Sequence, residues 1–351
     1  MFEKTYVRAR ERFRAAAAAA GVNERECSRH QHPLCGPGGE KLFIDVASWG
    51  SLEADRTLVL MSGTHGIEGF VGSAIQTALL EGRYGPRPSD LRIFLVHALN
   101  PYGFAWYRRA NETGVDLNRN FVDFTSLPAN PGFTRELANA LVPAVWDGSE
   151  DAELSRWITA HGIVGLKQIV PLGQYEHWFA PFYGGRVPEW SNAAFRTIVR
   201  AHLKDSRNIV FIDYHSGLGE YGTGQLIARS GASGSEVDVG ERLWGAAYVK
   251  PSNQATVAYA ISGDTLSALH GILPDGALLT CASHEFGTRP VLDVLKAVRF
   301  DHYLHTYGDL DPSRLIEQKA LLRQAFCPLD EVWERQVLDG AGHALASVLC
   351  P

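Results

Sequence analysis

The stretch TLVLMSGTHGIEG, Thr57 to Gly69, begins as an unbroken apolar run and ends in a glycine-flanked His65 with Glu68 three residues on. Three more runs are built the same way: RIFLVHAL (92–99), NIVFIDY (208–214) and ALLTCAS (277–283). Continuous rather than alternating apolar character suits strands buried on both faces of a mainly parallel sheet. Between the runs lie helical periodicities. In 191–204, Phe195, Ile198, Val199, His202 and Leu203 share one face behind a Ser191/Asn192 cap. Further helices are expected at 3–20, 133–147, 150–161, 291–306 and 312–326, the last opening on Asp311 and Pro312. HPLCGPGG (32–39) reads as a loop. Strands alternating with helices predict an α/β fold: a central mixed, mainly parallel twisted sheet covered by helices on both faces. No composition shift marks a linker, so 1–351 is expected to be one domain.

In such sheets ligands sit beyond the carboxyl ends of the strands. All four runs deliver ionisable groups there: SGTHGIEG, NPYGFAWYRRANETGVDLNRNF (100–121), HSGLGEYG and HEFGT. An isolated His-x-x-Glu is a helix start with an exposed acid, and an isolated His215 a hydrogen-bonded strand end. Taken together, His65, Glu68 and His215 are a two-His, one-carboxylate set, the ligand type of a catalytic zinc with a position open for water. Such a site needs a base, and Glu285 stands at the end of the last run; otherwise it would pair with Arg289. Arg109 could polarise a carbonyl, and Asn118 with Arg119 could grip a carboxylate. Taken singly, Arg108, Arg109 and Arg119 read as surface charges.

Composition excludes other classes. The 351 residues are 45% hydrophobic and 21% charged with net charge −6, which leaves no basic footprint for nucleic acid or anionic membrane. No apolar run is long enough to span a bilayer. The N-terminal segment lacks an apolar signal core, and five scattered cysteines suit a reducing compartment, so a cytoplasmic location is expected. GLGEYG (217–222) satisfies G-x-G-x-x-G, but QLIA follows where a dinucleotide site needs a helix. No G-x-S-x-G elbow is present.

The segments HGIEG, NPYGF…RRANETGVDLNRNF, DYHSG and HEFGT, in that order between residues 57 and 288, resemble the carboxypeptidase A-type zinc metallocarboxypeptidases. That superfamily also contains the aspartoacylase and succinylglutamate desuccinylase deacylases. The resemblance implies one zinc ion on His65, Glu68 and His215, Glu285 as base, and Arg109 as the carbonyl-polarising arginine. It implies Asn118 and Arg119 as the carboxylate receptor, and Asp116 as the acid orienting the first zinc histidine. YAISGD (259–264) resembles the segment whose mobile tyrosine closes over substrate, which would make Tyr259 that residue and put Leu266 in the side-chain pocket. Two departures put the substrate in question. HGIEG carries no second arginine, and 125–205 diverges, with His177, Trp178 and Tyr183 either rimming the pocket or packing an insertion. The resemblance thus implies a bacterial-type metallocarboxypeptidase acting on a small peptide, with an N-acyl amino acid deacylase as the alternative. A metal-binding protein without catalysis is the third option.

Overall fold

A computed structural model describes residues 2–22, 24–251 and 261–350. Among the described residues eight strands form one sheet: β1 (Cys27–Cys35), β2 (Lys41–Trp49), β3 (Arg56–Ser62), β4 (Leu91–His97), β5 (Asn208–Tyr221), β6 (Gly224–Ala228), β7 (Tyr248–Val249) and β8 (Leu278–Gly287). Their spatial order is β1-β2-β4-β3-β5-β8-β6-β7. The central pairs β4–β3, β3–β5 and β5–β8 are parallel, while β1–β2, β2–β4 and β6–β8 are antiparallel. The sheet is therefore mixed with a parallel centre, as the apolar runs predict.

The two faces bury alternate residues of each central strand. Leu58, Leu60, Ile93, Leu95, Ile212 and Tyr214 meet the helices Tyr6–Ala19, Gly69–Leu80 and Glu331–Leu349 in one core. Val59, Met61, Phe94, Val96 and Phe211 meet the helix Trp190–Leu203 in the other. Burying each such side chain stabilises the fold by about 1.5–3 kcal/mol. A third, smaller core forms within 133–182, from Leu137, Leu141, Leu154, Trp157, Leu166 and Phe179.

Several boundaries differ from expectation. HPLCGPGG is not all loop: His32 to Cys35 close β1, and only the turn after it is irregular. That edge strand carries few apolar residues, so no run betrays it. Ser191 and Asn192 lie inside the helix that begins at Trp190; Ser191 Oγ donates to Leu99 O, and Asn192 Nδ2 donates to Asn120 O. The helix expected at 133–147 spans only Arg135–Leu141. The one expected at 150–161 continues as Ala152–Ile169 across a break at Gly162, whose φ is 82°. The region 312–326 divides into three short helical pieces, the first capped by Asp311 as expected.

Candidate metal centre

β3 and β4 end side by side, and the chain after each builds one wall of the site. After β3, the turn Gly66–Glu68 carries His65 and Glu68 into the helix Gly69–Leu80. This turn packs so closely on the helix Pro101–Ala105 that a Cβ at Gly66 would stand 2.0 Å from the carbonyl carbon of Gly103. Only glycine fits there. Two hydrogen bonds then fasten the turn to the arginine loop, Gly66 N–H to Arg109 O (3.2 Å) and Ile67 N–H to Arg108 O (2.7 Å). This turn and Arg109 therefore hold one another in place.

β5 supplies His215, and the period-two alternation of a strand turns Asp213 to the same side. β8 pairs in parallel with β5 so that Glu285 stands opposite His215. The third wall is the turn Leu117–Arg119, capped by Asp116 Oδ1, which accepts from the Asn118 amide.

The ligand atoms of His65, Glu68 and His215 lie within 4.8 Å of one another, all three residues buried. Glu68 sits between the imidazoles: Oε1 is 2.9 Å from His65 Nδ1, and Oε2 is 2.9 Å from His215 Nδ1. The outer nitrogens each meet a buried carboxylate. His65 Nε2 is 3.0 Å from Asp116 Oδ1, and His215 Nε2 is 2.8 Å from Asp213 Oδ2. A carboxylate on Nε2 fixes the tautomer that leaves Nδ1 for a metal, the outer support such ligands ordinarily have. Asp213 in turn accepts from the hydroxyls of Thr64 and Thr265. The donor set fits a divalent cation on its chemistry.

Charge sets the protonation states. Burial works against ionising Glu68, yet His65 and His215 outweigh it and hold its pKa down at about 2. Burial likewise opposes charge on His215, but Asp213 and Glu68 raise its pKa well above the ordinary imidazole value. Asp116 is held well below the carboxylate range, because Arg109, Arg119 and His65 overcome its burial. Glu285 goes the other way: burial and the Glu68 charge push it up to about 7, against the pull of His215 and the Leu218 amide.

None of the three arginines is a surface charge. Arg109 Nη1 donates to Asp116 Oδ2 at 2.5 Å and its guanidinium lies 4.9 Å from the Phe182 ring centre. Arg119 is buried and donates to Asn118 O and Pro171 O. Asn118 Oδ1 accepts from Thr265, which leaves its amide nitrogen as the group available to a ligand. Among the described residues Glu285 pairs with no arginine; its Oε1 accepts from Leu218 N–H at 3.0 Å. Leu266 is buried and lines the cleft, whereas Tyr259 falls outside the described residues.

The cleft has two arms that share His65, Arg109, Arg119, Leu218 and Glu285. One is polar, with Asn118, Arg229, Ser230, Asp264 and Ser283 in its wall. The other is apolar and encloses about 820 Å³ of empty space, including open solvent at its mouth. The divergent segment does reach this arm, but through Leu166, Val170, Pro171 and Phe182. Tyr183 instead gives its carbonyl to the Asp116 amide, His177 stacks with Phe133, and Trp178 lies on the surface. Sequence reasoning missed Phe182 and Asp213. The strand alternation before His215 would have found Asp213.

The chain belongs to the family DUF2817, described as a protein of unknown function, whose model matches residues 2–340. No curated protein matches it. Among solved structures it is similar to the carboxypeptidase A of Helicoverpa armigera, with 14% identity over 98% of this chain and 74% of that one and a TM-score of 0.46. It is also similar to bovine thrombin-activatable fibrinolysis inhibitor in complex with a tick carboxypeptidase inhibitor (13% identity, 99% and 98% covered, TM-score 0.49). The murein-tripeptide amidase of Escherichia coli O157 matches at 18% identity, with 87% and 95% covered and a TM-score of 0.39.

Proposed function

We propose that this member of the DUF2817 family is a zinc-dependent hydrolase of amide bonds that stand beside a free carboxylate. The observation that carries the reading is the buried His65–Glu68–His215 group, with each outer imidazole nitrogen on a carboxylate and the partly buried Glu285 next to it. A divalent cation held by those three residues would polarise a carbonyl and lower the pKa of water.

The chain's own residues do the rest. Asn118 and Arg119 bind the substrate carboxylate in the polar arm, as guanidinium geometry favours. Arg109, held by Asp116 and backed by the Phe182 ring, faces the scissile carbonyl and stabilises the charge that develops on its oxygen. Glu285, with a pKa near neutrality, takes a proton from the attacking water and returns it to the leaving nitrogen. Water's oxygen joins the carbonyl carbon, the C–N bond breaks, and a carboxylate and an amine leave.

A metallocarboxypeptidase and an N-acyl amino acid deacylase share all of these roles and differ in what lies beyond the scissile bond. The test is release of free amino acid by zinc-loaded protein from short peptides with free C-termini and from N-acyl amino acids. Release from either class that depends on the metal and on Glu285 upholds the reading. No release from any compound in the panel would defeat it.

A further inference from the structure

The two arms of the cleft differ in a way that a peptide does not explain. Beyond the metal group the apolar arm is walled by Leu166 and Val170 from the divergent segment, Val291, Val294 and Val298 from the helix Val291–Thr306, and Phe326. Several of the polar groups that reach this wall are already engaged. Ser216 Oγ donates to Phe326 O (2.6 Å), Pro171 O accepts from Arg119 (2.5 Å), and Leu218 N–H donates to Glu285. Away from the metal group, the cation Lys167 is exposed in the lining. A peptide chain lying in this arm would bring N–H and C=O groups out of water with few partners away from the metal group besides Lys167, at a cost for each unmade hydrogen bond. A hydrocarbon chain loses nothing there and gains for every methylene buried.

We infer that the substrate is an N-acyl amino acid with a medium-to-long aliphatic acyl chain, the chain filling the apolar arm and the amino acid lying in the polar arm. The inference rests on the amide hydrolase reading and names its substrate class. Hydrolysis yields the fatty carboxylate and the free amino acid, with water as the only co-reactant. The segment 125–205 then supplies specificity: Leu166, Val170 and Phe182 reach the cleft where the sequence departs from the resembling family.

The test is a library of N-acyl amino acids spanning the common amino acids, with acetyl, butanoyl, octanoyl and decanoyl chains, run beside dipeptides whose first residue is apolar. The expected result is a kcat/KM that rises with chain length, by up to about fourfold per methylene until the arm is full. Val291, half-exposed in the arm's wall, allows a second check: Val291→Trp should flatten the rise with chain length. Calorimetry of the Glu285→Gln protein adds a readout without turnover, in which the heat-capacity change of binding becomes more negative as the chain lengthens. A flat or falling series, or dipeptides outrunning every acyl compound, overturns the inference and spares the hydrolase reading. No turnover of any amide by the zinc-loaded protein removes both.

Discussion

Two clusters of buried charge lie on either side of the arginine loop, and they are built to opposite plans. In one, Glu68, Asp116, Asp213 and Glu285 surround His65 and His215, with Arg109 and Arg119 at the margin, and the group opens into the cleft. In the other, Asp301 is gripped by Lys319 and lies near Arg108 (3.6 Å) and His305 (3.7 Å), and none of these residues lines the cleft. The sealed cluster sets two cations against one carboxylate. The open one has more carboxylates than cations and two imidazoles aimed inward. Buried charge alone therefore does not mark a site. A shortage of positive charge beside solvent, with ligand atoms converging, does. Arg108 joins the two regions: its side chain faces Asp301 while its carbonyl fastens the Gly66–Glu68 turn at Ile67.

The comparison breaks most sharply at Glu285. Glu285→Gln should lower kcat by about a hundredfold to ten-thousandfold, the usual contribution of a positioned general base, while bound zinc stays unchanged. Initial rates paired with metal analysis check this, and unchanged turnover would remove Glu285 from the role. Next comes the sealed side. Asp301→Ala leaves Lys319 and Arg108 buried without their carboxylate, so urea unfolding should report a loss of about 3–5 kcal/mol. Rates per folded molecule should barely change. A large rate loss with stability intact would make the sealed cluster part of the chemistry. Smaller again is Asp213→Asn, which removes the charge behind His215 and should weaken zinc binding by about 10–100-fold in competition with a chelating dye.

How much of this was legible in the sequence follows from where each residue sits. β3, β4, β5 and β8 are buried on both faces, so each shows as an apolar run whose end can be read. β1 is an edge strand with only His32 fully buried, and its polar sequence CSRHQHPLC carries no such mark. The proposed ligands His65, Glu68 and His215 could be named from residue type and order alone, and the fold brings the three together. The apolar arm was not. Val294 and Val298 sit on a helix face that reads as core from sequence, and only the fold shows that this face also borders a cleft. Phe182, with φ 60°, is aimed by a backbone turn that no periodicity encodes.

The finest separation between the two clusters is in how their histidines titrate. In the sealed cluster burial lowers His305 to about 2, and beside it His302, whose Nδ1 lies 3.2 Å from Phe179 O, to about 4, with Arg108 among the charges adding to the effect. The unfolded chain then binds protons near 6.5 that the folded one refuses, so these residues make the fold less stable as pH falls below 6.5. His215 has the opposite sign: raised by Asp213 and Glu68, it favours the metal-free fold below 6.5 and loses that contribution as pH rises through its folded value. A cation must displace the His215 proton to reach Nδ1. Zinc affinity should therefore climb between pH 6 and 8, by up to about tenfold per pH unit for each proton released. Dye competition at pH 6, 7 and 8 measures the slope. The double change His302→Gln and His305→Gln should leave that slope alone while flattening the loss of stability between pH 6.5 and 5. Zinc affinity independent of pH would mean that His215 reaches the metal already neutral, and the contrast drawn between the two clusters would fail at its most sensitive point.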